Sequence, residues 1–119
     1  EDLTELKKIK TAIITNAGGA GALITDYLVS QKINVEAPID ILGTASPEDY
    51  KKTLEELKGY SQIVVILTPQ TMSDPDKTAK ILTESKHKKK ITAFFLGEKS
   101  VKKAKNILKR AEIPCYTKI

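Results

Sequence analysis

The residues whose types and spacing best suit chemistry are Thr15-Asn16-Ala17-Gly18-Gly19-Ala20-Gly21, a run with three glycines among its last four positions. The run stands between Thr11–Thr15, an apolar stretch read as a buried strand, and a helical stretch from Gly18 to Ser30. Glycine lets backbone approach a ligand with no side chain in the way. The first amides of the helix that follows, at the positive end of its dipole, suit a phosphate or a carboxylate. Asn16 adds an amide group at the rim. The plainer reading is that the glycines serve only a tight turn and close helix packing. Anion binding is preferred because such helix starts attract anions strongly.

Standard nucleotide motifs do not fit. A dinucleotide fingerprint begun at Gly19 and Gly21 meets Ile24 at its third glycine position, and the G-x-x-x-x-G-K-[ST] loop is absent. A flavin-phosphate loop wants several hydroxyls, and only Thr15 supplies one. A receiver domain needs an acceptor aspartate after its central strand, where Thr68-Pro69-Gln70 stand instead. Asp40, beside Gly43, either faces the site or braces its loop. Asp74 and Asp76 read as helix-capping and dipole charges. His87, with no carboxylate or glycine loop beside it, reads as a solvated surface histidine, and Cys115 as an inert small hydrophobe. Lys102, Lys103 and Lys105 read as a solvated helix face. No catalytic residue and no metal ligand set is assigned.

These candidates need a scaffold, and the pattern supplies one. Short apolar runs alternate with helical periodicity: strands at Thr11–Thr15, Asp40–Leu42, Gln62–Leu67, Ile91–Leu96 and Ile113–Tyr116, with helices after Gly18, Ser46, Asp74 and Ser100. Ile63 to Leu67 is an unbroken, mostly β-branched run, as a central parallel strand requires. The expected fold is α/β, a three-layer parallel sheet with helices on both faces. Residues 1–10 read as a polar lead-in, helical around Leu3 and Leu6, and 11–119 as one domain. The chain begins at Glu1 rather than Met, which suggests an excised piece of a longer protein. One cysteine and one histidine exclude a disulfide and a Cys- or His-rich metal site. The charge of +5 is almost all lysine, Arg110 being the one arginine, and aromatics are few, so nucleic acid is not expected as a partner. No apolar run approaches a membrane span. A cytoplasmic location is expected.

Several motifs in order then resemble one family. Ile14-Thr15-Asn16-Ala17-Gly18-Gly19-Ala20-Gly21, Pro38-Ile39-Asp40-Ile41-Leu42-Gly43 and Ile66-Leu67-Thr68-Pro69-Gln70-Thr71-Met72-Ser73-Asp74-Pro75 are similar to the C-terminal flavodoxin-like domain in the α part of ADP-forming acyl-CoA synthetases. These are relatives of succinyl-CoA synthetase, and some protein acetyltransferases carry a similar domain. Ala93-Phe94-Phe95-Leu96-Gly97 and Ala111-Glu112-Ile113-Pro114 extend the resemblance over nearly all of residues 8–117. It implies a flavodoxin-like fold and an enzyme that turns acyl-CoA, ADP and phosphate into acid, ATP and CoA, with Mg. A histidine of another domain carries the phosphoryl group, and the glycine loop with the helix after it holds that phosphohistidine. By resemblance the phosphate-holding positions are Asn16, Gly18, Gly19, Ala20 and Gly21. Thr68, Pro69 and Gln70, at a neighbouring strand end, are further candidates to line the site, as are Asp40 and Gly43 if Asp40 faces it instead of bracing its loop.

The resemblance also implies partners: phosphohistidine and CoA-binding domains and an ATP-grasp subunit or domain. No cofactor is implied on this domain itself, which alone is not expected to catalyse the reaction. Ala20 stands where the family has proline, Ala37 where it has asparagine, and Glu98 where it has a second glycine. Only Lys32 to Glu36 span a link that is longer in the family. These departures keep a second reading in view, a non-catalytic anion- or partner-binding module. A small flavin or nucleotide carrier is a third.

Overall fold

In the computed structural model, residues 10–119 are described. The elements are β1 (Thr11–Thr15), α1 (Gly18–Ser30), β2 (Ile39–Asp40), α2 (Pro47–Glu56), β3 (Gln62–Leu67), α3 (Pro75–Glu84), β4 (Ile91–Phe95), α4 (Lys102–Arg110) and β5 (Cys115–Tyr116). Short 3-10 turns at Lys88–Lys90 and Lys99–Val101 lead into β4 and α4. The expected helix about Leu3 and Leu6 lies outside the described residues.

All five strands are parallel, in the order β2-β1-β3-β4-β5. That is the flavodoxin-like order, whose crevice opens between the carboxyl ends of β1 and β3, where the direction of winding reverses. β1 and β3 are buried on both faces because their apolar side chains alternate between two cores. Ala12, Ile14, Ile63, Val65 and Leu67 meet α2, α3 and α4. Ile13, Val64 and Ile66 meet Ile24 of α1.

Helices lie on both faces, as expected, but the two faces are not covered alike. Three helices pack on one face and α1 alone on the other, above β1 and β3. In β4 the residues on α1's side, Thr92 and Phe94, are therefore only half-buried. Phe94 instead stacks on Tyr116 of β5, ring centroids 5.2 Å apart. A groove of about 250 Å³, lined by Ile24, Tyr27, Leu28, Val64, Phe94 and Ile119, remains between α1 and these rings.

The link at Lys32 to Glu36 closes without a loop. Asn34 and Glu36 exchange backbone hydrogen bonds with Thr11, and Val35 pairs with it. The ladder resumes where Ile39 meets Ile14. Four residues on this edge span three on β1, so Ala37 and Pro38 form a bulge, a position where proline's missing N–H costs no ladder bond. β2 ends at Asp40, two residues before its expected end, because Asp40 Oδ1 accepts from the Leu42 N–H at 2.9 Å and turns the chain. β5 is likewise shorter than expected, starting at Cys115.

Candidate functional site

β1 delivers the glycine loop to the carboxyl edge of the sheet. The Ala17 amide donates to the Thr15 hydroxyl at 2.9 Å, and that hydroxyl donates to the Ala17 carbonyl at 2.8 Å. The turn is thus closed by Thr15, a role its sequence position did not announce. Ala17 is the N-cap of α1, with extended dihedrals, no side-chain cap and no acid in the first turn. Among the described residues no acceptor meets the amides of Gly18, Gly19 and Ala20. A helix start leaves such donors for solvent or a ligand, and Gly18 and Gly19 are exposed.

The three glycines prove to have different reasons. A Cβ on Gly21 would lie 2.9 Å from Thr15 Cγ2, so Gly21 is needed for α1 to sit close on the sheet. A Cβ on Gly18 would come within 3.2 Å of Asp40 Oδ2. A Cβ on Gly19 would meet nothing within 4 Å. Among the described residues no contact requires glycine at position 19. The turn-and-packing explanation covers Gly21 and leaves Gly19 without a structural role.

Asn16 is placed differently from its expected position at the rim. It is 3% exposed and spans the crevice to the loop after β3. Its Nδ2 donates to the Thr68 carbonyl and its Oδ1 accepts from the Thr68 amide, both at 2.8 Å, with the Thr68 hydroxyl at 3.2 Å from the same oxygen. The side chain therefore holds the ends of β1 and β3 together instead of offering its amide to a ligand. Thr68 is committed to the same clamp. Gln70 is exposed, with Nε2 3.4 Å from the Thr68 hydroxyl. Pro69 rests near Gly97, whose added Cβ would lie 3.7 Å from Pro69 Cγ. Ser73, buried and unremarked in the sequence, braces this loop: its Oγ accepts from the Gln70 amide at 2.8 Å.

Asp40 and Gly43 do reach the loop. Gly43 lies beside the Asn16 carbonyl, and Leu42 between them takes φ +75°, a left-handed conformation that is costly for a branched side chain. Asp40 puts a negative charge beside the start of α1. Burial, with a smaller contribution from Asp40, raises the Tyr50 hydroxyl far above its ordinary value. Tyr50 donates to the Ile66 carbonyl at 2.9 Å.

The remaining candidates fall elsewhere. Asp74 caps α3 by accepting from the Lys77 amide at 3.2 Å. Glu98 is exposed at the start of the Lys99–Val101 turn. His87 is not the solvated side chain expected: it is half-buried at the turn after α3, and its Nε2 is buried with no described partner. Cys115 is half-buried in β5, and burial pushes its thiol up, which suits an inert residue. No group of three or more metal-ligating side chains occurs among the described residues. No helix among them is long and apolar enough to cross a membrane.

Comparison with known proteins follows the same lines. No family model matches the chain. It is 29% identical to acetate–CoA ligase (ADP-forming) I of Archaeoglobus fulgidus, over 88% of this chain and 18% of the relative. That alignment runs over 129 residues although only part of this 119-residue chain takes part, so the relative carries insertions that this chain lacks. Among solved structures, PH0766 of Pyrococcus horikoshii OT3 superposes with a TM-score of 0.81 at 24% identity, over 92% of this chain and 32% of that one. The dinucleotide-forming acetyl-coenzyme A synthetase 1 of Ca. Korarchaeum cryptofilum gives 0.82 at 21% identity, over 92% and 30%. The same enzyme in complex with phosphate and ADP gives 0.80. The chain thus spans under a fifth of the curated relative and under a third of the solved chains. The resemblance carried by the glycine loop and the motifs after it therefore stands: the chain is homologous to one segment of an ADP-forming acetyl-CoA synthetase.

Proposed function

We propose that this chain serves as the flavodoxin-like domain of an ADP-forming acyl-CoA synthetase, where the start of α1 holds the phosphoryl group of a phosphohistidine presented by another domain. The observation that carries the reading is Gly19, exposed at an uncapped helix start where a Cβ would meet none of the described residues. Three free amides converge at that start with the helix dipole behind them. An anion there exchanges water for oriented donors that need no reorganisation. The Asn16–Thr68 clamp keeps the loop from shifting as charge arrives. Thr15 keeps the first turn closed.

In this role the domain supplies electrostatic stabilisation and no nucleophile. CoA, the adenine nucleotide, phosphate and Mg would belong to the parent reaction and be held mainly by the phosphohistidine and CoA-binding domains and an ATP-grasp unit. A cytoplasmic location accords with such an enzyme. The domain of a protein acetyltransferase would use the same surface.

The Asp40 carboxylate beside Gly18 favours the second reading, a non-catalytic module, since it opposes a fully charged phosphate at the same place. One substitution separates the two. In the enzyme assembled with its phosphohistidine domain, Gly19→Val fills the approach to the free amides. Histidine phosphorylation from ATP, followed by radiolabel, is expected to fall at least about tenfold. Unchanged labelling would refute the phosphoryl-holding role and leave the binding module.

A further inference from the structure

Charge is distributed very unevenly along this chain. Residues 86–110 hold ten of its 20 cationic side chains and one acid, Glu98, while the other 94 residues hold ten cations and fourteen acids. The fold brings that segment to one edge. The Lys88–Lys90 turn lies immediately before β4 and Arg110 shortly before β5, and β4 and β5 are neighbours. From that end α4 carries the charge along the helical face to Lys99, beside Gly97 at the carboxyl edge. Lys99, Lys102, Lys103, Lys105, Lys109 and Arg110 are all exposed. The two ion pairs among the described residues, Lys10–Glu36 and Lys77–Asp74, lie elsewhere.

Lys109 and Arg110 suit the last turn of α4, but the rest of this arrangement works against the helix that bears it. Lys102 and Lys103 occupy the first turn of α4, which has no acid, and oppose the helix dipole. Lys99 and Lys103, Lys102 and Lys105, and Lys105 and Lys109 are like charges three or four residues apart, a spacing that repels. The other charged helices do not share it: α2 and α3 mix lysines with Glu48, Asp49, Glu55, Asp76 and Glu84. A general preference for lysine on the surface would have spread over all of them.

We propose that the 86–110 stripe is a docking face for an acidic protein surface. Protein is favoured over nucleic acid because the stripe offers one guanidinium, at its end, and its two rings are engaged, Phe95 in the core and Phe94 stacked on Tyr116. Ammonium groups on flexible stems instead suit carboxylates scattered over a protein face. The chain also matches less than a third of the solved chains that share its fold, so protein surfaces are the expected neighbours. The stripe shares no residue with the glycine loop, and its test reads different amides.

The full isotope-labelled chain is titrated at physiological salt with three probes: a Glu/Asp-rich peptide, a single-stranded oligodeoxynucleotide of equal charge, and phosphatidylserine vesicles. The peptide is expected to give saturable amide shifts confined to residues 86–110, with higher affinity than either other probe. The triple charge reversal Lys102→Glu, Lys103→Glu, Lys105→Glu should weaken it roughly tenfold. A control reversal of Lys51, Lys52 and Lys77 to Glu should leave it unchanged. Shifts spread over the whole surface, tighter binding of the oligonucleotide or the vesicles, or equal loss in the control would overturn the proposal.

Discussion

Of the four helices that follow strands of this parallel sheet, α1 begins in a manner opposite to α2 and α3. At α2 the Asp49 carboxylate accepts from the Ser46 amide at 2.8 Å, Pro47 sets the first turn, and Glu48 adds negative charge. At α3 Asp74 caps, Pro75 follows and Asp76 adds charge. At α1 the N-cap is Ala17, the next two residues are glycine, and no acid lies in the first turn. The fourth helix, α4, continues from the Lys99–Val101 turn, with no side-chain cap and no acid in its first turn. At α1 the chain leaves exposed glycine amides, with the Asp40 carboxylate from a neighbouring strand beside Gly18. Set against α2 and α3, α1 is a start at which an external anion can replace a side-chain cap.

The comparison can be broken or sharpened by substitution. The largest effect is expected from Asn16→Ala, which leaves the half-buried Thr68 amide without a partner, reduces its carbonyl to the Ser73 hydroxyl at 3.4 Å, and frees the open end of the crevice. Roughly 2–4 kcal/mol of stability should be lost, read by denaturant unfolding, together with any phosphate-dependent shift in the loop. At the sealed end, Tyr50→Phe removes the hydroxyl bond to Ile66 and should cost about 1–2 kcal/mol. Its pH dependence has a definite sign. The folded-state value is raised by burial and by Asp40. The stabilisation is therefore complete below the unfolded value near 10 and is lost as pH rises through the folded one. Thermal melts across the alkaline range should steepen for the wild type and flatten for the phenylalanine variant.

A smaller effect, of opposite sign, is expected from Ala17→Asp. Giving α1 the kind of cap that α3 already has should raise stability by about 0.5–1 kcal/mol while reducing anion binding at the same amides. A variant that gained neither stability nor lost binding would show that α1 is not open in the sense argued.

How far the sequence foretold this follows from the range of the interactions. β1 and β3 were legible because uninterrupted β-branched runs have few other homes. α2 and α3 were legible because Ser46-Pro47 and Asp74-Pro75 are local capping signals. The strand expected at Ile91–Leu96 was legible too, yet only Ile91, Ala93 and Phe95 of it are buried, since nothing in an apolar run tells which face will receive a helix. The lysine turn at 88–90 carried no periodic signal. At the site, the glycine loop was visible from its composition. The partner of Asn16 lies 52 residues away, so a buried clamp and an exposed rim residue look the same in one sequence. The distinction between Gly19 and Gly21 likewise needs the neighbours that a Cβ would meet.

The central claim is that the start of α1 is a preformed anion site. The most direct measurement is a titration of the isotope-labelled chain with inorganic phosphate, following the backbone amides of Ala17 to Ala22 by NMR. The account predicts saturable shifts centred on Gly18, Gly19 and Ala20, with the starts of α2 and α3 silent. Silence at α1, or equal shifts at all three helix starts, would contradict it.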